Sequence, residues 1–185
     1  VINFVPGSGS LVGDVCLASP DLGGVHFTGS TSVFQHIWKT IGANIAAYKS
    51  YPRIIGETGG KDFIFVHPSA HIEELVVAMV RGAFEYQGQK CSAASRAYIP
   101  QSLWPQVRER MENMVKGIKM GPPEDFNNFF NAVIDEASFD KLAGFIDRAK
   151  RDKEAEVIIG GGYDNFAHRK DSLNLIDSLQ SRDYI

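Results

Sequence analysis

Three short stretches of this chain hold side chains that could do chemistry. The first is Gln87-Gly88-Gln89-Lys90-Cys91-Ser92-Ala93, which carries one of only two cysteines. A cysteine kept for packing usually sits among large apolar neighbours. Here the neighbours are polar or tiny, and Lys90 would favour the thiolate. Local context leaves a nucleophile and a plain thiol both open. The second stretch is Gly56-Glu57-Thr58-Gly59-Gly60, one carboxylate among glycines at the end of an apolar run. A poorly solvated acid there has a raised pKa and can act as a base. A solvated turn glutamate, or one paired with Lys61, is the plainer alternative. The third is Phe27-Thr28-Gly29-Ser30, where a predicted strand feeds a helix. Backbone N–H groups and the helix dipole suit such a turn to phosphate oxygens. An ordinary Ser/Thr N-cap has the same pattern. The turn is not a GxGxxG fingerprint, and no P-loop is present. Together the three have a chemical meaning. A thiolate adds to an aldehyde, hydride leaves to a nicotinamide, and a carboxylate activates the water that hydrolyses the resulting thioester.

The elements that must position these groups follow from periodicity. Val1–Val5 reads as a short buried strand, and residues 11–18 as a weak helix. Residues 25–27 are predicted as a strand, followed from Val33 by a helix with Ile37, Ile41 and Ile45 at intervals of four. Residues 53–55 form the next strand, and 62–66 an unbroken apolar run expected to be buried on both faces. A helix over 72–86 leads into the Cys91 loop, and a strand over 96–99 leads out. Ser102 is the expected N-cap of the following helix. Another helix carries Phe139, Leu142, Phe145 and Ile146, and 156–159 is a last strand. This alternation marks an α/β fold of open parallel sheets with flanking helices.

Composition excludes several classes. A net charge of −3 gives no reason to expect nucleic acid or an anionic membrane as partner. Two cysteines, Cys16 and Cys91, make no disulfide framework and suggest a reducing compartment. The five histidines show no metal-ligand spacing, since Pro68 separates His67 from His71, so no metal is expected. No apolar run reaches the length of a membrane span, and no signal or transit peptide is visible. The chain opens without an initiator Met on what reads as an internal strand, so it is expected to be a fragment.

The motifs resemble the aldehyde dehydrogenase superfamily. Phe27-Thr28-Gly29-Ser30-Thr31 looks like its cofactor turn. Glu57-Thr58-Gly59-Gly60-Lys61 looks like its Glu-Leu-Gly-Gly-Lys base motif, with Thr58 in place of Leu. Gly88-Gln89-Lys90-Cys91 with Arg96 looks like its Gly-Gln-x-Cys nucleophile motif. Phe84-Glu85-Tyr86, Gln89-Lys90-Cys91-Ser92-Ala93, Ser102-Leu103-Trp104-Pro105-Gln106 and Val133-Ile134-Asp135 are most similar to the Δ1-pyrroline-5-carboxylate dehydrogenases, which oxidise glutamate semialdehyde with NAD. The resemblance implies Cys91 as nucleophile and Glu57 as general base. It implies an NAD site at Gly29, Ser30, Thr31, Ser32 and Val33, with Thr58 and Gly59 beside the nicotinamide. The Cys91 backbone N–H would supply part of an oxyanion hole, and Ser92 would hydrogen-bond the substrate carboxylate. Residues 1–58 would close a cofactor domain and 59–163 open a catalytic domain, leaving 164–185 as a divergent tail with no family counterpart. The family's remaining cofactor and substrate contacts have no counterpart in the chain. A homo-oligomer is implied for the parent enzyme, in the mitochondrial matrix of a eukaryote or in the cytoplasm otherwise. Two other readings stand beside this one. The chain would be a truncated product that binds a partner or a full-length subunit. Alternatively it would belong to a CoA-acylating enzyme, against which Glu57 argues.

Overall fold

The computed structural model of the chain describes residues 2–163. The divergent tail lies outside them. The chain forms two compact units that divide between Gly59 and Gly60.

The first unit runs α1 (Gly9–Ala18), β1 (Gly24–Thr28), α2 (Thr31–Ala43) and β2 (Arg53–Glu57). β1 and β2 pair in parallel, with Val25 opposite Ile54 and Thr28 opposite Glu57. A parallel pair needs a crossover, and α2 supplies it. The core joins Leu17, Ile37, Ile41 and Tyr48, with Val25, Phe27 and Ile54 packed against it. Tyr48 Oη donates a buried hydrogen bond to the Leu17 carbonyl at 2.7 Å, which ties α1 to the segment before β2. Of the predicted apolar stripe, Ile37 and Ile41 are buried, but Val33 and Ile45 are exposed. A step of four residues overshoots one turn by about 40°. The ends of such a stripe therefore rotate out of the core, and Ile45 lies past the helix end. Ile41 is 2% exposed. Ile41→Ala is expected to destabilise this unit by about 3 kcal/mol, seen as a lower midpoint in urea unfolding.

The second unit runs β3 (Phe63–Phe65), α3 (Ile72–Phe84), β4 (Arg96–Tyr98), α4 (Trp104–Lys116) and α5 (Glu136–Arg151). β3 and β4 pair in parallel, Ile64 opposite Ala97. Leu75, Val76, Met79 and Val80 of α3 form its core with Val66 and with Val107 of α4. Glu73 and Glu74 in the first turn of α3 and Arg81 in its last complement the helix dipole. Asp135 caps α5 by accepting from the Ser138 N–H at 2.8 Å.

Four expectations need correction. Residues 2–5 form no strand, and Ile2 and Phe4 are 100% and 89% exposed. A strand needs a neighbour for its N–H and C=O groups, and among the described residues β1 and β2 pair only with each other. Residues 156–159 form no strand for the same reason; Glu156 instead takes an ion pair from Arg108. β3 is not buried on both faces. Ile64 turns to the core, while Phe63 and Phe65 stay exposed beside Tyr98. Ser102 does not cap α4. The helix starts at Trp104 after Leu103, with Pro105 in its first turn, where a missing N–H is harmless.

Candidate active site

In the first unit the in-register pairing brings two of the three stretches together. Glu57 closes β2 opposite Thr28, and the Gly29 N–H donates to the Glu57 carbonyl at 3.1 Å. The turn and the carboxylate-bearing strand end thus share the C-terminal edge of a parallel sheet. Open α/β sheets take their ligands at that edge. The N-terminus of α2 opens directly from it. Ser30 is the N-cap, accepting from the Val33 N–H at 3.3 Å, and its hydroxyl also contacts that of Ser32 at 3.2 Å. The N-cap alternative is therefore realised, and it leaves the first-turn N–H groups beside exposed hydroxyls on Ser30, Thr31 and Ser32. Alongside runs a cavity of about 400 Å³ lined by Thr31, Phe34, Gln35, Trp38, Lys39 and Thr58. Its wall is aromatic: Phe34 stacks on Phe27 and meets Trp38 edge-on. Val33 and Gly59 are exposed, and Thr58 is half-buried. Glu57 is exposed rather than sheltered by the glycine run. Glycines add no apolar bulk, so they cannot by themselves exclude water from a carboxylate.

In the second unit Cys91 and Ser92 lie exposed on the loop between α3 and β4. After α3 ends, Tyr86 and Gln87 adopt left-handed backbone, each with φ of 56°, followed by Gly88 at 65°. For non-glycine residues this costs on the order of 1 kcal/mol each, so outside contacts must hold the turn. Gly88 has no such cost, and a Cβ there would lie 2.8 Å from the Ala83 carbonyl. Hydrogen bonds fix the loop's exit. The Ala94 N–H donates to the Gly82 carbonyl at 2.9 Å, and the Ser95 N–H to Asp62 at 3.0 Å. Gly60 supports the loop from below, against the Cys91 carbonyl with no room for a side chain.

Lys90, expected to favour the thiolate, directs its charge to a carboxylate. Its ammonium pairs with Glu85 at 3.1 Å, and Arg81 reaches the same carboxylate at 2.6 Å. The Arg81 guanidinium first, and Lys90 second, hold the Glu85 carboxyl below the usual carboxylate range. Beside the loop is a cavity of about 420 Å³ that includes Tyr86, Gln87, Lys90, Phe129, Phe130 and Asn131. Among the described residues no three His, Cys, Asp or Glu side chains gather as a metal site would require. No described helix is long and apolar enough to cross a membrane.

The aldehyde dehydrogenase family profile matches residues 1–175. The chain belongs to the aldehyde dehydrogenase family. Its match runs past Tyr163, beyond the expected end of the motif resemblance. Among the family's members, the mitochondrial Δ1-pyrroline-5-carboxylate dehydrogenase of Dictyostelium discoideum is 54% identical over 167 residues, 89% of this chain and 30% of that protein. The enzyme of the same name from Homo sapiens is 45% identical over 166 residues, again 89% and 30%. The solved Δ1-pyrroline-5-carboxylate dehydrogenase of Mycobacterium tuberculosis with NAD bound superposes with a TM-score of 0.83 at 47% identity, over 86% of this chain and 30% of that one. The chain thus spans about 30% of the length of these relatives.

Some residues that shape the site carry no chemical signal in the sequence. Gly60 reads there as one more glycine of a run. Gln87 and Gln89 read only as polar neighbours of Cys91, and Asn131 as part of a loop. Only the amides flanking a glycine hint that the turn is held from outside.

Proposed function

We propose that these residues are the central part of an NAD-dependent aldehyde dehydrogenase that oxidises glutamate γ-semialdehyde, the open form of Δ1-pyrroline-5-carboxylate, to glutamate. Residues 1–58 close its cofactor domain and 59–163 open its catalytic domain. The relatives named mitochondrial support a matrix location in a eukaryotic source. The single observation that carries the reading is the pairing of Thr28 with Glu57. It sets a carboxylate and a phosphate-binding helix start on one sheet edge, inside a chain of this family. The α2 N-terminus fits a pyrophosphate: the Val33 N–H is taken by the Ser30 cap, and the Thr31 and Ser32 N–H groups ahead of it lie in an exposed turn with the hydroxyls of Ser30, Thr31 and Ser32. Val33, Thr58 and Gly59 border the rest of the cofactor.

The Cys91 thiolate attacks the aldehyde carbon, and the C=O electron pair moves onto oxygen. The Cys91 backbone N–H donates to that oxyanion. Bound NAD supplies the hydride acceptor. Cys91 Sγ then holds the acyl group as a thioester, while Ser92 Oγ holds the distal carboxylate of the substrate. Glu57 takes a proton from water, whose oxygen forms the new C–O bond. The C–S bond breaks, releasing glutamate and the thiol. Glu57→Gln tests this order in the longest natural chain that contains these residues. Hydride transfer precedes hydrolysis. The variant should therefore release one equivalent of NADH and then stall, with an acyl adduct on Cys91 by peptide mass spectrometry. Steady turnover at the unmodified rate, or an adduct elsewhere, would sink the assignment.

A further inference from the structure

The left-handed turn before Cys91 is closed by the Gln89 N–H donating to the Tyr86 carbonyl at 3.1 Å and is held from outside by side chains. Gln87 Nε2 donates to Asn131 Oδ1 and, at 2.7 Å, to the Ala132 carbonyl. A carbonyl only accepts, so the Gln87 atom facing it is the amide nitrogen. On the other side of Gly88, Gln89 Oε1 accepts from the Ile134 N–H at 3.0 Å. Two amides therefore grip one segment, residues 131–134. That segment is itself fixed. Val133 is buried, the Phe129 N–H donates to the Lys119 carbonyl at 2.8 Å, and the Gly121 N–H donates to Phe130 at 3.2 Å.

We propose that Gln87 is a positioning residue for Cys91, clamping the strained turn to Asn131 and Ala132 so that the sulfur is presented in one geometry. The inference rests on the reading of Cys91 as nucleophile. Strained backbone persists only where its surroundings over-determine it. Without the Gln87 donors, Tyr86 and Gln87 relax toward right-handed backbone, and the Cys91 loop follows.

The test is acylation of Cys91 by p-nitrophenyl acetate, followed by stopped flow in the longest natural chain that contains these residues. This step needs no cofactor. Gln87→Met keeps the length and removes both donors. Acylation should slow about tenfold, with KM for the ester changed by less than about twofold. Gln87→Glu sets acceptor oxygens against two acceptors. Its rate relative to the unmodified chain at the same pH should recover as acid converts the carboxylate to an O–H donor. Asn131→Asp keeps the acceptor and should stay within about twofold, whereas Asn131→Leu removes one of the two acceptors and should slow acylation by more than about twofold but less than Gln87→Met. This pair carries the test if Gln87→Met does not fold. A general loss of structure would neither recover in acid nor separate Asp from Leu. Gln87→Met at the unmodified rate, or equal losses in both Asn131 variants, overturns the clamp. Acylation mapped to a residue other than Cys91 overturns the nucleophile reading beneath it. Acylation at Cys91 that ignores Gln87 overturns the clamp alone.

Discussion

Replacing Cys91 with alanine should lower both aldehyde oxidation and ester hydrolysis by about four orders of magnitude or more. Both reactions need the sulfur, to attack a carbonyl carbon and then to carry the acyl group until water releases it, while only oxidation needs hydride transfer, so a common loss traces to the sulfur and not to the cofactor. Cys91 is exposed, and its removal leaves no buried cavity to destabilise the fold. Unfolding midpoints of Cys91→Ala and the unmodified chain should therefore coincide. Cys16 is the internal control: it is also an exposed thiol, but it lies on α1 in the other unit. Cys16→Ser should keep full turnover. Normal turnover by Cys91→Ala would remove the nucleophile and with it the proposed chemistry.

Gly60→Ala should cost about two orders of magnitude in kcat, by displacing the nucleophile rather than removing it. A Cβ on Gly60 would overlap the carbonyl oxygen of Cys91 and crowd its carbonyl carbon. These neighbours are backbone atoms. No rotamer change relieves the clash, so the loop itself must shift. Its exit is pinned by the hydrogen bonds of Ala94 and Ser95, which directs the shift toward Cys91. The affinity for NAD, measured by calorimetry, should change little, because the proposed pyrophosphate contacts lie on α2. Faster amide exchange over residues 86–92 should accompany the loss. Unchanged kcat and exchange in Gly60→Ala would show that the loop is not seated on Gly60.

Much of the fold is legible in the order of residues. The helices over 31–43, 72–84 and 136–151 follow from apolar residues at helical spacing, and β1, β2 and β4 from short apolar runs between turns. Both signals are local: a window of a dozen residues contains all the physics that sets them. The failures share a cause as well. Residues 2–5 and 156–159 have strand-like composition, but a strand exists only with a partner ladder, and composition does not say whether one is adjacent. β3 reads as doubly buried because its apolar run is unbroken, yet only the face carrying Ile64 meets α3 and α4.

The chemistry of the site lies in the residue types and their order: a cysteine among small residues, one carboxylate in a glycine run, and a Ser/Thr-rich helix start, arranged in a way that points to thioester formation and hydrolysis. Reactivity is a property of the side chain, so it can be read wherever the side chain is named. How these groups are held is a matter of tertiary structure. Strand register sets Glu57 beside Gly29, the surrounding turn leaves that carboxylate exposed, and the end of α3 draws Lys90 into a pair with Glu85. The folded chain also joins Gln87 to Asn131, 44 residues away, and seats the Cys91 loop on Gly60. Such contacts join segments distant along the chain, and they form only once the surrounding core has fixed where each segment runs.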